Sequence, residues 1–363
     1  LGADTCFTPL FMADVGRHKI LPSALQFKHP MYIHNTMRTP ENMASIGRSR
    51  ACARRITSCA DCRFSKLTEV RITDGRMTRA ALVALAPAEG LRKLMLFNEN
   101  VGLGNFRDCT FLSARQFEPL EDLSMRCVTS QALSFIFQNL PALRYFAAAL
   151  LDSAFADHLA AGQLLAHQHL QQLTLRNNGP SDSLNRGVVS LANYFRFPQL
   201  KQVLFANVRL SLAVINAVGL FAPNLQAWNL EPCSFRPSAE VVLPALSQLP
   251  SLCHVLTDAT AENLAHFCAL SVPSLQLRVV VHDTQPRGYE DAFAAFSEAK
   301  QLRTLFVQFL GASPMACVDV LLTALAPSVE TLTLHSGVIS NAPIKQQMQE
   351  LLGQVQAICD QTV

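Results

Sequence analysis

Apolar residues recur along this chain at two spacings. In "LQQLTLRNN" (170–178), Leu170, Leu173 and Leu175 alternate with polar letters toward the end of the stretch. Alternation of this kind predicts a short strand with one face buried. The pattern returns as "LTEVRITDG" at 67, "LRKLMLFNE" at 91, "LEDLSMRCV" at 120 and "LPALRYFAA" at 140. It returns again as "LKQVLFANV" at 200, "LQAWNLEPC" at 225 and "LCHVLTDAT" at 252. A degenerate copy, "LQLRVVVHD", begins at 275, and "LRTLFVQFL" at 302 and "VETLTLHSG" at 329 close the series. The second apolar positions are Val70, Leu94, Leu123, Leu143, Leu173, Val203, Trp228, Val255, Leu277, Leu305 and Leu332. From Val70 to Leu332 is 262 residues in ten steps, a mean period of about 26.

Between these strands the spacing of apolar residues changes to three and four, which predicts helices. The runs are "MTRAALVALAP", "TSQALSFIFQNLP", "SAFADHLAAGQLLAHQHL", "SLAVINAVGLFAP", "AEVVLPALSQLP" and "MACVDVLLTALAP". Several end in "LPAL", "APNL", "LPSL" or "APSV", where proline stops the helix and hands the chain to the next strand. The strand leucines need a core that a single coil cannot close, so coils must stack. Asn178, or Cys233 in the Trp228 copy, stands at the turn after the strand, where it can bond backbone groups left unpaired.

On these motifs the chain resembles the leucine-rich repeat family over residues 67–337. Long helix-containing units with Asn or Cys at the turn are most similar to its ribonuclease-inhibitor-like branch, which includes the repeats of F-box substrate receptors. The resemblance implies an α/β solenoid of horseshoe shape, with a parallel concave sheet, outer helices and about eleven repeats. The expected organisation is a basic, non-repeat extension over 1–66, the solenoid over 67–337 and an amphipathic capping helix over 338–363. That last segment carries Ile344, Met348, Leu351, Leu352, Val355 and Ile358 on roughly one face.

Charge separates the extension from the body. Residues 1–66 hold ten Lys/Arg against four Asp/Glu, a net of +6, within a chain of net +3. Half the residues are hydrophobic and 16% are charged, which excludes overall disorder. No apolar run approaches a membrane span; "SLAVINAVGLFAP" comes nearest and contains Asn216. The eleven cysteines, spread widely and set in apolar runs, read as reduced thiols of an intracellular protein. A start at Leu1 rather than Met fits an artificial start or a processed precursor.

Motifs of chemistry are sparse. Cys52, Cys59 and Cys62 form C-x6-C-x2-C, a weak zinc candidate for which His29, His34 or Cys6 would supply the fourth ligand. "VGLGNF" lacks the third glycine and the lysine of a phosphate loop and reads as a turn. His158, His167 and His169 share no metal-binding face and read as surface histidines. No G-x-S-x-G, H-E-x-x-H or P-loop occurs, so a non-enzyme without cofactors or a small-molecule substrate is expected.

A binding protein remains. Strand alternation places Glu69, Arg71, Lys93, Phe97, Arg126, Arg144, Phe146 and Arg176 on the concave face of the first half. In the second half it places Leu204, Asn229, Glu231, Leu256, Asp258, Phe306 and His335 there. Of these, Arg71, Lys93, Phe97, Arg126, Arg144, Phe146 and Arg176 form the expected partner-binding set, basic with two aromatics. Helices such as "ALSFIFQNL" and "CVDVLLTALA" are apolar nearly all round, as if a partner covered them. The expectation is a non-catalytic interaction scaffold, a structural subunit of a larger mitochondrial or ribonucleoprotein assembly, with a mitochondrial address favoured over a cytoplasmic one. Arg48, Arg50, Arg54, Arg55 and Arg63 would contact RNA phosphates in the alternative of an RNA-contacting subunit. The other alternative, a substrate-recruiting adaptor of a ubiquitin ligase, would place an F-box in 1–66. No leucine-rich three-helix pattern stands there, and the single Trp is Trp228.

Overall fold

A computed structural model describes residues 24–26, 68–72, 90–96, 112, 117–155, 159, 163–177, 183–230, 233–280, 286–310, 315–325 and 327–336. The described chain is α/β and divides into two compact units, 1–199 and 200–363.

The sheet of the first unit is parallel and runs in chain order: β1 (Ala24–Gln26), β2 (Glu69–Ile72), β3 (Lys93–Leu96), β4 (Asp122–Val128), β5 (Tyr145–Leu150) and β7 (Gln172–Asn177). Two short strands, β6 (Leu165–Ala166) and β8 (Phe195–Arg196), pair beside it. Its described helices are α1 (Ser130–Asn139) and α2 (Ser183–Tyr194). The second unit has β9 (Gln202–Ala206), β11 (Ala227–Leu230), β13 (His254–Ala259), β14 (Ser274–Val280), β15 (Thr304–Leu310) and β16 (Thr331–Ser336), again parallel and in chain order. The short strands β10 (Val208–Leu210) and β12 (Cys233–Phe235) pair separately. Between the main strands come α3 (Leu212–Phe221), α4 (Ala239–Leu246), α5 (Ala261–Leu264), α6 (Pro286–Ala294) and α7 (Met315–Ala324).

Register shows how the apolar pattern is used. Val70, Leu94, Leu123, Phe146 and Leu173 stand opposite one another from strand to strand, as do Val203, Trp228, Val255, Leu275 and Leu305. All ten are buried. The expected markers Leu143 and Leu277 are therefore out of register by three and two residues; Phe146 and Leu275 hold those places. The sheet also begins earlier than expected, because Leu25 of β1 pairs with Val70 within the section taken as non-repeat.

Backbone bonds join each strand to the next. The carbonyl of Thr68 accepts from both Arg92 N–H and Lys93 N–H, and Arg92 O accepts in turn from Glu121 and Asp122. Glu121 O serves Arg144 and Tyr145, and Arg144 O serves Gln171 and Gln172. Lys201 O, Gln226 O, Pro273 O and Arg303 O do the same in the second unit. Each strand entry thus leaves no amide of these pairs unsatisfied.

The proline punctuation acts as a turn. Leu143 N–H donates to Leu140 O, Leu225 N–H to Ala222 O and Leu252 N–H to Leu249 O, each at 3.2 Å across a proline. Proline supplies the fixed φ such a turn needs and no amide that would continue the helix. Helix starts are capped: Thr129 Oγ1 accepts from Ala132 N–H at 3.2 Å, and Ser211 Oγ from Val214 N–H at 3.4 Å.

The apolar surface of α1 is absorbed within its own unit. Only Gln131 and Gln138 are exposed on that helix. Phe137 is ringed by Phe146 at 5.6 Å, Phe197 at 5.1 Å, Phe195 at 5.5 Å and His167 at 5.9 Å, all near edge-on. The all-round apolarity of "ALSFIFQNL" is thus explained without a partner. Its cover includes residues of the run at 153–170, whose expected helix is not found among its described residues. Phe155 and His167 are buried there, and β6 forms.

His167 is a correction as well, since it is 4% exposed rather than on the surface. Its Nε2 lies 2.9 Å from Leu140 O and its Nδ1 accepts from Leu170 N–H at 3.2 Å. These bonds fix the neutral tautomer with the proton on Nε2. Leu170 N–H, which in the proline turns would meet the carbonyl three residues back, meets this ring instead. Burial lowers the pKa of His167 below 6.5, with the hydrogen bond to the Leu140 carbonyl acting against it and His169 adding to it.

Candidate partner-binding face

Alternation puts every second strand residue on the face opposite the core. In the first unit that face carries charge, part of it already matched. Lys93 Nζ lies 2.6 Å from Asp122 Oδ2, and the two residues are direct partners in the strand register. Glu121 stands between Arg92 at 3.6 Å and Arg144 at 3.8 Å. Exposed pairs of this kind contribute about 0–1 kcal/mol each, and they offset only part of the basic surface expected from the sequence, since the single Glu121 carboxylate serves two arginines. Arg126 and Arg176 are exposed on their strands, and Arg144 is exposed just before β5. Phe146 is not on this face: it is 1% exposed and packs on Phe137. The sequence alignment set the copy at 140 three residues early, and such a slip moves a side chain to the opposite face. Tyr145, 42% exposed, is the aromatic that does face outward there.

Several expected sites lie outside the described residues: Phe97, Cys52, Cys59, Cys62, Arg48, Arg50, Arg54, Arg55, Arg63, Glu231 and Asn178, together with the segment 338–363. The side chains of Arg71 and Cys233 lie outside them too. Among the described residues no group of three or more His, Cys, Asp or Glu comes together as a metal ion would require. Cys253 Sγ donates to Gln226 O at 3.3 Å and Cys268 Sγ to Ala265 O at 2.8 Å. No helix among them is long and apolar enough to cross a membrane.

The second unit presents a different surface. Its central row, read in register from β9 to β16, is Leu204, Asn229, Leu256, Gln276, Phe306 and Thr333. The first five are half-buried and Thr333 is exposed. One row over lie Asp258, Arg278, Gln308 and His335, where Arg278 Nε donates to Asp258 Oδ1 at 2.8 Å. His335 stacks on Phe306, the rings 6.5 Å apart and 19° from parallel. On the other side His254 Nδ1 meets Ser274 Oγ at 2.8 Å, and burial lowers the pKa of His254. Asn229 Oδ1 is buried with no hydrogen-bond partner.

Leu204, Asn229, Leu256, Asp258, Phe306 and His335 were thus legible as open-face positions. Gln276 and Arg278 were not named because the copy at 275 departs from the repeat consensus; either leucine as its marker, Leu275 or Leu277, leaves both residues on the open face. The signal for them is "VPSLQL", in which Val272, Leu275 and Leu277 are all buried. Chemically the face offers aliphatic and aromatic contact, primary amides and ion pairs matched internally, Arg278 with Asp258 and, at the strand entries, Arg303 with Glu330. No family model matches the chain, and comparison with characterised proteins returns no match.

Proposed function

We propose that this chain is a non-catalytic docking scaffold of leucine-rich repeat type, a subunit of a larger protein assembly, that binds a partner polypeptide on the strand face of its second unit. The observation that carries the reading is the row of half-exposed Leu204, Leu256 and Phe306 flanking an unpartnered Asn229 oxygen. Apolar area removed from water is worth about 25 cal/mol per Å², so covering those three side chains favours association. A buried acceptor without a donor costs roughly 1–3 kcal/mol, which a partner N–H would recover. The mitochondrial or ribonucleoprotein setting rests on the basic composition of 1–66 alone.

Site-specific photo-crosslinking in the source cell tests the reading. A photoreactive residue at Leu256 or Phe306 is expected to trap a discrete protein that the same residue at Leu220 does not. Absence of any crosslinked protein at both strand positions would overturn it.

A further inference from the structure

The central row of the second unit alternates apolar and polar side chains from strand to strand: Leu204, Asn229, Leu256, Gln276, Phe306, Thr333. Its apolar members therefore recur every second strand. Neighbouring strands lie about 4.8 Å apart, which sets the repeat of this row near ~9.6 Å. A polypeptide crossing the strands would have to return an apolar side chain to the surface at that interval.

The regular conformations differ sharply in this respect. A β-strand returns a side chain to the same face every ~6.8 Å. An α-helix does so with close phase only every seven residues, ~10.5 Å. The polyproline II helix returns every three residues, ~9.3 Å. Over the two intervals from Leu204 to Phe306 the polyproline II segment falls short by ~0.6 Å, whereas the α-helix overshoots by ~1.8 Å.

Two independent features of the face agree. A polyproline II backbone makes no internal hydrogen bonds, so its N–H and C=O groups need outside partners. Asn229 Oδ1, midway between Leu204 and Leu256, is a buried acceptor without one. Charge also selects the partner, because the ion pairs described in this unit, Asp258 with Arg278 and Arg303 with Glu330, are each matched internally. A charged segment would lose hydration there without gaining a counter-ion. The stacked Phe306 and His335 rings supply the aromatic wall against which such segments pack.

We infer that the row Leu204–Asn229–Leu256–Gln276–Phe306 binds an uncharged partner segment in polyproline II conformation, with an apolar side chain at every third residue and a backbone N–H donated to Asn229 Oδ1. The inference rests on the docking function proposed above and names its partner class. About seven residues span the three apolar positions.

Fluorescence anisotropy with the full chain and end-blocked peptides tests it. The probe is Leu-Ser-Pro-Leu-Ser-Pro-Leu. The comparators are the same composition with leucine at every second residue, the probe with both serines replaced by lysine, and a helical peptide with leucine at every seventh residue. The probe is expected to saturate the protein and to bind at least about tenfold more tightly than each comparator. Leu256→Ser and Asn229→Ala should each weaken it about fivefold or more, while Leu220→Ser on the helical side leaves it unchanged. Circular dichroism melts establish that the variants fold, and Leu256→Ser removes only a half-exposed side chain. Equal binding of the spaced and respaced peptides, tighter binding of the helical peptide, or no binding of the probe would overturn the inference. A partner crosslinked at Phe306 that the probe fails to displace would overturn it while leaving the docking function standing.

Discussion

His167 is the sharpest point at which to test the packing of the first unit. Its ring joins two turns that lie one period apart, Leu140 O on one side and Leu170 N–H on the other, with Phe137 edge-on at 5.9 Å. His167→Ala leaves a buried carbonyl and a buried amide without partners. Each such loss costs about 1–3 kcal/mol, so the variant should be destabilised by roughly 2–5 kcal/mol. His167→Leu restores most of the volume but neither bond, and should recover only the packing part of that loss. The wild-type protein should also show a pH signature. A folded-state pKa held below 6.5 by burial means that protonation favours unfolding, so the contribution of His167 is complete above about pH 6.5 and is lost as pH falls below it. Urea melts followed by far-ultraviolet circular dichroism at pH 7.5 and 5.0 measure both effects. Hydrogen exchange at the Leu170 amide localises them. If His167→Ala melts like wild type and keeps its Leu170 amide protected, the reasoning is refuted.

Three further outcomes follow from the same core and its edges. Phe137→Ala removes the ring at the centre of a four-partner aromatic cluster and should cost about 3–5 kcal/mol in a denaturant melt. Gly187→Ala in α2 would set a Cβ 2.5 Å from Leu150 Cδ2. The clash with a buried side chain should outweigh the gain in helix propensity and give a net loss of about 1–2 kcal/mol, measured as a lowered thermal midpoint. Thr129→Ala strips the side-chain cap from α1 but leaves the bond from Ser130 N–H to Asp152 Oδ1 at 2.8 Å. A loss of about 1 kcal/mol is expected, and Asp152→Ala combined with it should cost more than either change alone.

Much of the architecture was legible because strand and helix periods differ and proline marks the joins. "LQQLTLRNN" exposes its strand, its buried Leu170, Leu173 and Leu175 and its outward Arg176 through local alternation alone. Register was less legible where composition blurs alternation. In "LRYFAAAL" every residue from Tyr145 onward is apolar, so nothing local says whether Leu143 or Phe146 holds the central place. The pairing of Phe146 with Leu173 decides it. The register shift between Ser124 and Cys127 has no sequence signal of its own either.

The face chemistry depended still more on distant partners. The sequence by itself determined most of the main strands, several helix stops and which side of most of those strands carries polar residues, because those follow from neighbours two to four positions away. Only the tertiary structure decided that Lys93 is matched by Asp122, that His167 is a buried clamp, and that Asn229 lacks a partner between two leucines. Each of these depends on residues some 20–30 positions apart, brought to a few ångströms by the stacking of parallel strands. Hydrogen bonds and ion pairs act over those few ångströms, and local periodicity carries no record of what will stand opposite.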